Sequence, residues 1–195
     1  QATAPNSARR SQRRREPLRG HALQRCDHLE ETLNAFLRFT RAQKAVTEPT
    51  DLNAVVRDFI AFYEPQAEEA GMQLSPHLAI DLPPVELDRT AFKQVLMNLA
   101  RNAANAMPDG GTLELQTHRV GDQVHLAIID TGIGMTPETQ SRIFDAFFSN
   151  SPGGSGLGLP TVRKIIEAHG GTVTCESELN RGTQFLIQLP ILSDA

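Results

Sequence analysis

The chain has 195 residues, 39% of them hydrophobic and 22% charged, with a formal net charge of -4. This composition indicates a globular protein with one main core plus an appendage, and it excludes a fibrous or wholly disordered chain. Two cysteines, Cys26 and Cys175, are too few for a disulfide framework and match no metal-ligand spacing, which favours a reducing compartment and a cytoplasmic location.

The N-terminal segment carries most of the charge asymmetry. Residues 1–25 have a formal charge of +6, because seven arginines stand there against Glu16 and no other acid. Such a run can be an arm for nucleic acid or anionic lipid, but a solvated linker or frayed helix end is its commoner origin. We therefore predict a basic linker over residues 1–21, without a site and without a nucleic-acid partner. No apolar run reaches the roughly 20 residues that span a bilayer, so no membrane segment is expected.

An apolar stripe predicts a helix over residues 22–45. Its residues follow one helical face: Leu29, Leu33, Phe36, Leu37 and Thr40. One helix cannot bury such a stripe alone, so we expect a partner helix, supplied by dimerisation or by further sequence.

A second helix is predicted to begin at an N-cap at Thr50 or Asp51 and to run to about Ala70, where Gly71 ends it. A domain boundary is placed just before this helix.

The remaining chain alternates between strand and helix patterns. Strands are predicted at "MQLSPHLAI", "GTLELQTHRV" and "QVHLAIID", with a turn at Gly121-Asp122 between the last two. Helices are predicted at "LDRTAFKQVLMNLARNAANAM" and "LPTVRKIIEAHGG", and a final hairpin at "TVTCESEL-NRG-TQFLIQLP". We predict a two-layer α/β sandwich in which helices cover one face of a mixed, mostly antiparallel sheet of about five strands.

Three asparagines lie in the helix that contains "NLARNAANAMP". Asparagine is a poor helix former because its amide competes for nearby backbone groups. Asn98 and Asn102 stand four residues apart, with Asn105 three further on, so their amides can converge. Amide oxygens can ligate Mg²⁺ without adding charge. The helix alone leaves solvated surface asparagines open as the alternative.

Two glycine clusters follow. "DTGIGM" places Asp130 at a strand end beside Gly132 and Gly134, where a carboxylate can accept a hydrogen bond from an exocyclic amino group such as that of adenine. "GGSGLGL" opens a predicted helix, and helix N-termini bind phosphate through unpaired N–H groups. Neither cluster is a Walker or dinucleotide-binding motif, and each by itself is more often a simple turn.

The ordered set "NLARNAANAM", "DTGIGM", "IFDAFF" and "GGSGLGL" resembles the asparagine box, first glycine box, phenylalanine box and second glycine box of the histidine-kinase ATP-binding domain. That domain belongs to the gyrase, heat-shock chaperone, histidine kinase and MutL superfamily, which shares the Bergerat fold. The resemblance covers about residues 46–192 and implies an ATP-binding catalytic domain over 46–195. "FLRFTR" looks like the end of a partial dimerisation helix over 22–45, and "NAANAMPDGGTL" is similar to kinases of the nitrogen-regulation and dicarboxylate-sensing type.

The resemblance implies a role for each matching residue. Asn102 would be the chief Mg²⁺ ligand, with Asn98 beside it in the catalytic centre. Asp130 would bind the adenine amino group, and Thr183, in "RGTQF", would help to hold a water at the adenine. The other nucleotide-binding positions would be Asn105, Gly132, Gly134, Phe144, Gly154, Ser155, Gly156, Leu157, Gly158 and Leu159. The segment between Phe144 and Gly156 would be the ATP lid.

Position 98 bears on which group accepts the phosphoryl. Superfamily members that hydrolyse ATP with water have a glutamate general base one helical turn before the metal asparagine, where this chain has Asn98. An amide cannot take a proton, so a kinase is favoured over a water-using ATPase.

Two features depart from the family pattern. Its kinases carry a phosphoacceptor histidine followed directly by an acidic residue, and neither His21 nor His28 has that neighbour. The lid reads "FFSNSPGGSG" where related kinases commonly have "FFTTKP", so Ser151 replaces a lysine that could meet the phosphates. Arg163 or Lys164 would compensate only if their helix faced the right way. These departures leave a non-catalytic nucleotide-binding or dimerising regulatory module as the alternative.

The sequence thus predicts the ATP-binding catalytic portion of a two-component sensor histidine kinase that uses Mg²⁺ and ATP. The resemblance implies transfer of the γ-phosphoryl to a histidine and onward to a response-regulator receiver domain. It also implies a homodimer formed through the dimerisation helices, in the cytoplasm or as the cytoplasmic part of a membrane-bound sensor.

A few other residues are predicted to be structural. His169, in the last turn before Gly170, suits a helix C-terminus as a cation. Phe144, Phe147 and Phe148 are predicted to anchor the core and the lid, since no basic residues are interleaved with them as in a base-stacking platform.

Overall fold

The computed structural model describes residues 46–150 and 154–192. Several predictions fall outside the described residues: the basic linker over 1–21, the dimerisation helix over 22–45, His21, His28 and Ser151.

The described part of the chain forms seven strands and four helices. The strands are β1 (Glu48–Thr50), β2 (Met72–Leu78), β3 (Val85–Leu87), β4 (Gly111–Val120), β5 (Gln123–Asp130), β6 (Thr172–Glu178) and β7 (Gly182–Pro190). The helices are α1 (Leu52–Glu69), α2 (Arg89–Ala106), α3 (Pro137–Gln140) and α4 (Gly158–Ala168).

Five strands form the main sheet, in the order β2-β4-β5-β7-β6. β2 runs parallel to β4, and the other three neighbouring pairs are antiparallel. The parallel pair is joined through α2, as a parallel connection requires a crossover, whereas β4 and β5 need only the two-residue turn at Gly121-Asp122. The predicted mixed, mostly antiparallel sheet is confirmed.

Helices α1, α2 and α4 pack on one face of this sheet, as predicted. In β4 the buried Leu113, Leu115 and Thr117 alternate with the half-buried Glu114 and Gln116, so one side of the strand enters the core. α2 contributes a stripe at helical spacing: Phe92, Val95, Leu96, Leu99, Ala100 and Ala103. These residues belong to one hydrophobic cluster with the core residues of α1 and α4.

The ends of the long helices follow the predicted signals. Asp51 caps α1 by accepting from the Asn53 N–H (2.8 Å), and the chain leaves the helix at Gly71, whose φ is 66°. Asp88 caps α2 by accepting from the N–H groups of Thr90 and Ala91, both at 3.0 Å. Both helices therefore begin at an aspartate that satisfies first-turn donors.

Three short elements were not predicted. β1 and β3 form a separate antiparallel pair of three residues each, and α3 is a single turn capped by Thr136. Strands of three residues are too short to show an alternating pattern. Pro49 within β1 also argues against a strand in the sequence, because proline is rare inside sheets. Among the described residues, no helix has the length and apolar character to cross a membrane.

Candidate nucleotide-binding site

The three asparagines of α2 lie beside its buried stripe. Asn98 and Asn102 are half-buried and share a helix face, while Asn105, near the C-terminal end of the helix, is exposed. The Asn102 and Asn105 amides make no hydrogen bond to any residue of 46–150 or 154–192. Their oxygens thus remain available to a ligand, and convergence of Asn105 with the other two stays a prediction.

Asn98 contacts the second glycine box directly. Its Nδ2 group donates to the Gly158 carbonyl oxygen (3.3 Å), which belongs to the first residue of α4. The amide nitrogen is therefore turned toward the glycine box, and the side-chain oxygen keeps its lone pairs. The contact joins the asparagine helix to the start of the helix that opens with glycines.

A second contact joins the N-cap of α2 to the C-cap of α4. The buried His169, at the C-cap of α4, accepts the Asp88 N–H at Nε2 (2.9 Å), and its Nδ1 pairs with the Ile165 carbonyl (2.7 Å). The two helical segments between these contacts have nearly the same length. The contacts are 10 residues apart along the α2 segment, residues 88–98, and 11 residues apart along the α4 segment, residues 158–169, and each stretch rises about 15 Å. α4 is thus held antiparallel to α2. An accepting Nε2 carries no proton, so the prediction of His169 as a helix-terminal cation is wrong.

Asp130 ends β5 and is 5% exposed. One carboxylate oxygen, Oδ1, accepts from the N–H groups of Gly132 (2.9 Å) and Thr183 (3.2 Å). Burial raises the pKa of Asp130, while these two backbone donors oppose the shift. The structure therefore brings three predicted site residues together around one carboxylate.

The glycines of "DTGIGM" have a packing reason as well as the predicted role at a flat ligand. A Cβ at Gly132 would lie 2.7 Å from the Ala106 carbonyl oxygen at the end of α2. Gly134 has φ of 63°, and a Cβ there would collide with the Glu178 carbonyl oxygen. Glycine is required here because protein backbone approaches it, so the requirement does not depend on a ligand.

The second glycine box packs on the phenylalanine box. The Phe147 N–H donates to the Gly156 carbonyl (2.9 Å), and a Cβ at Gly156 would collide with the Phe147 backbone. Leu157 precedes α4 as its N-cap without a side-chain hydrogen bond. The first-turn N–H groups of Gly158 and Leu159 have no acceptor within the helix, as expected of a phosphate-binding N-terminus.

The phenylalanines divide between core and surface. Phe144 is half-buried, meets Phe185 edge-on with ring centres 6.5 Å apart, and carries the Arg163 guanidinium 4.0 Å from its own ring centre. Phe148 is half-buried under Arg142, whereas Phe147 is 63% exposed. Phe147 therefore meets the second glycine box through its backbone N–H, while its side chain lies largely at the surface. Arg163 is held against Phe144, beside the segment predicted as the lid.

Thr183 is buried opposite Asp130, and its hydroxyl lies 3.0 Å from that of Ser177 in β6. Ser177 was not singled out from the sequence. Alternation along β6 places Ser177 on the same side as Val173 and Cys175. The strand pattern gives no signal that separates this serine from an ordinary polar residue at a half-buried position.

The remaining histidines lie away from these residues. His118 and His125 are paired across β4 and β5, with ring centres 5.2 Å apart. Burial and the neighbouring His118 lower the pKa of His125. Within the described residues, no three His, Cys, Asp or Glu side chains form a group that could hold a metal.

A family model described as "Histidine kinase-, DNA gyrase B-, and HSP90-like ATPase" matches residues 87–193. The match covers more than half of the chain and includes α2, β5, α4 and β7.

Curated proteins of several bacteria are similar to the chain. Sporulation kinase E of Bacillus subtilis (strain 168) is 36% identical over 169 residues, which are 86% of this chain and 23% of that protein. The signal transduction histidine-protein kinase AtoS of Escherichia coli (strain K12) is 32% identical over 170 residues, 87% of this chain and 28% of that protein. The chain spans about a quarter of the length of these two relatives. Neither name refers to nitrogen regulation, so that subtype stays a prediction.

Solved structures of similar fold include full-length ShkA in complex with AMPPNP, with a TM-score of 0.78 and 29% identity, covering 99% of this chain and 41% of that one. The catalytic domain of the histidine kinase ThkA has a TM-score of 0.68 and 29% identity, covering 74% and 95%. ThkA in complex with the response regulator protein TrrA has a TM-score of 0.71 and 26% identity, covering 98% and 53%. The predicted Bergerat fold is confirmed.

Proposed function

The chain belongs to the histidine kinase-, DNA gyrase B- and HSP90-like ATPase family, and from that premise we propose that it is the ATP-binding catalytic portion of a two-component sensor histidine kinase. In the intact protein it transfers the γ-phosphoryl of ATP to a histidine on a dimerisation helix. The histidine then passes the group to a response-regulator receiver domain. The kinase names of the curated relatives support this reading and disfavour a non-catalytic module.

We infer that ATP lies between α2 and the two glycine boxes. Asp130 binds the adenine amino group through the carboxylate oxygen that its two backbone donors leave unshared. The first-turn N–H groups of α4 face the phosphates, where the positive end of the helix dipole favours negative charge. Asn98 fixes this helix start against α2 through Gly158. The adenine end and the phosphate end are thereby held by elements that contact each other.

The donor set fits Mg²⁺. Asn102 offers a half-buried amide oxygen with no competing hydrogen bond from residues 46–150 or 154–192, and Asn98 keeps its oxygen while its nitrogen is engaged. A Mg²⁺ ion that is bound to phosphates usually has few protein ligands, and uncharged amide oxygens can serve as these ligands. Bound there, Mg²⁺ would neutralise phosphate charge as the γ-phosphoryl leaves.

The amide side chain at position 98 is the observation that favours a kinase over an ATP hydrolase. A general base must accept a proton from the attacking water, and the Asn98 amide donates through its nitrogen to Gly158 and is not basic at its oxygen. Activation of water is disfavoured at this position, so the γ-phosphoryl is kept for a positioned acceptor side chain.

The partners follow from the proposed reaction. A receiver domain must take the phosphoryl group, and a structure of ThkA with its response regulator shows that a kinase of this fold binds such a partner. A homodimer would form through the dimerisation helices, of which residues 22–45 are a part, and the acceptor histidine would lie on a helix outside this stretch, since neither His21 nor His28 has the acidic neighbour. The reaction draws on intracellular ATP, so we place the domain in the cytoplasm.

A phosphotransfer experiment tests the proposal. The full chain is incubated with γ-labelled ATP, Mg²⁺ and a separately supplied dimerisation hairpin that bears an acceptor histidine with its acidic neighbour. We expect acid-labile label on the hairpin. Asn102→Ala should reduce the labelling rate by roughly 100-fold or more, because a bound metal contributes several kcal/mol of charge stabilisation.

The matched control is Gln116→Ala, which removes a half-buried amide from the opposite side of the sheet. It should leave the labelling rate unchanged. Nucleotide binding without any label on the hairpin would refute the kinase proposal and leave a binding module. Release of phosphate at the same rate with and without the hairpin would mean that water is the acceptor.

A further inference from the structure

Three polar side chains share one face of the hairpin formed by β4 and β5, beside its turn. His118 of β4 is paired with His125 of β5, and Gln123 lies two residues before His125 on the same strand. Residues paired across strands share a face of the sheet, and so do residues two apart along a strand. The next pair, Thr117 and Leu126, is buried on the side of the core, so the face with the histidines is the one opposite the helices.

The two imidazole rings have the spacing of ligands on one metal ion. Their centres are 5.2 Å apart. Two imidazoles bound to one tetrahedral ion, with metal–nitrogen bonds of about 2.1 Å, have ring centres about 5 Å apart. His118 is exposed and makes no hydrogen bond to any residue of 46–150 or 154–192, so its ring nitrogens are available to a ligand.

The Nε2 atom of His125 meets two side chains that one imidazole nitrogen cannot satisfy together. It lies 3.4 Å from the Gln188 amide nitrogen and 3.3 Å from the Gln123 Oε1 atom. The Thr172 hydroxyl donates to Gln188 Oε1 (2.7 Å), which turns the Gln188 nitrogen toward His125. An amide nitrogen can only donate, so Nε2 carries no proton and presents its lone pair. The Gln123 oxygen therefore faces a nitrogen that has no proton to give.

A cation between these two atoms would remove the conflict. Two ligands that each lie about 2.1 Å from a tetrahedral ion are about 3.4 Å apart, and His125 Nε2 and Gln123 Oε1 have nearly this separation. The ion would replace the long contact from Gln188. Burial, and after it the neighbouring His118, lower the pKa of His125. The ring is therefore neutral at pH 7.5, as a metal ligand must be.

We propose that His118, His125 and Gln123 bind a divalent transition-metal ion of the kind that imidazole suits, such as Zn²⁺, Ni²⁺ or Cu²⁺, with water completing its coordination. Two histidines and an amide hold the ion, so the site needs no third His, Cys, Asp or Glu side chain. Gln123 and Asp130 are seven residues apart along β5, or about 23 Å, so the ion lies far from the proposed adenine position. Bound there, it would tie β4 to β5 and stabilise the folded chain.

Urea denaturation of the full chain at pH 7.5, at increasing concentrations of Ni²⁺, tests the inference. An ion that binds the folded chain alone raises the urea midpoint, whereas an ion that binds folded and unfolded chains equally does not. We expect the midpoint to rise, and its dependence on Ni²⁺ concentration gives the Kd. His118→Gln and His125→Gln should each weaken this Kd by about tenfold or more, since the loss of a residue that only supports a metal ligand already costs about 10–100-fold.

The matched control is His77→Gln, which removes an exposed histidine from β2 on the same face of the sheet. It should leave the Kd unchanged within about twofold. Gln123→Ala should weaken the Kd, whereas Gln188→Ala removes only the competing donor and should not.

The inference is overturned if Ni²⁺ leaves the midpoint unchanged, or if the rise persists undiminished in His118→Gln. Equal weakening by Gln123→Ala and Gln188→Ala would overturn the ligand role of Gln123. If His125→Gln does not fold, since that residue is 8% exposed, the exposed His118→Gln decides the outcome.

Discussion

Replacing His169 by phenylalanine is expected to lower the free energy of unfolding by about 2–4 kcal/mol. The side chain is 6% exposed and joins the last turn of α4 to the N-cap of α2. Phenylalanine keeps a ring in the site but removes both hydrogen bonds. The lost pair with Ile165 costs about 1 kcal/mol, and the Asp88 N–H left without its acceptor costs about 1–3 kcal/mol.

Equilibrium urea denaturation measures this change. The midpoint should fall while the slope of free energy against urea stays the same, because the amount of surface exposed on unfolding is unchanged. The matched control is His77→Phe on β2, whose side chain is 61% exposed and, among the described residues, pairs with Glu114 and Ser75 at the surface. That substitution should cost less than about 1 kcal/mol. A loss below about 1 kcal/mol for His169→Phe would refute the buried hydrogen-bonding role.

Two further predictions concern ionisable groups at and near Asp130, where we propose that adenine binds. Asp130→Asn should weaken ATP binding yet raise the urea midpoint at pH 7, because burial raises the pKa of Asp130 and an amide has no charge to desolvate. The gain should vanish below the ordinary Asp pKa of about 3.9, where folded and unfolded chains are both protonated, and a gain that persists there would contradict this cause. Burial raises the pKa of the Cys175 thiol to about 12. In a Cys26→Ser background at pH 8, a disulfide reagent should therefore react with the folded chain roughly 1000-fold more slowly than with the urea-unfolded chain, and equal rates would refute this protection.

Long periodic segments could be predicted from the sequence. α1, β4, β5 and the final hairpin lie where the apolar pattern and the turn residues placed them. Each has enough residues to show a period of 3.6 or 2, and α1 and β4 are followed by Gly71 and Gly121, whose turn preference is local. The same argument explains why the three-residue strands β1 and β3 escaped prediction, since their pairing depends on a contact between distant segments.

The site residues divide in the same way. Asn102, Asp130 and Thr183 could be named because they stand in motifs whose order along the chain is distinctive. The neighbour of Thr183, Ser177, could not, because its contact with the Thr183 hydroxyl arises only when β6 pairs with β7. His169 was assigned the wrong charge state because the Asp88 N–H that it accepts lies 81 residues away.

The glycines show most directly which properties follow from the sequence and which follow from the tertiary structure. The sequence alone determined that "DTGIGM" and "GGSGLGL" hold backbone that a side chain would disturb, since only glycine tolerates such conformations freely. The tertiary structure decided what the glycines avoid, which is the Glu178 carbonyl at Gly134 and the Phe147 backbone at Gly156. Residue preference is a local property that the chain carries in its sequence. Close approach and proton direction are pairwise properties, and they exist only after folding has brought the two partners together.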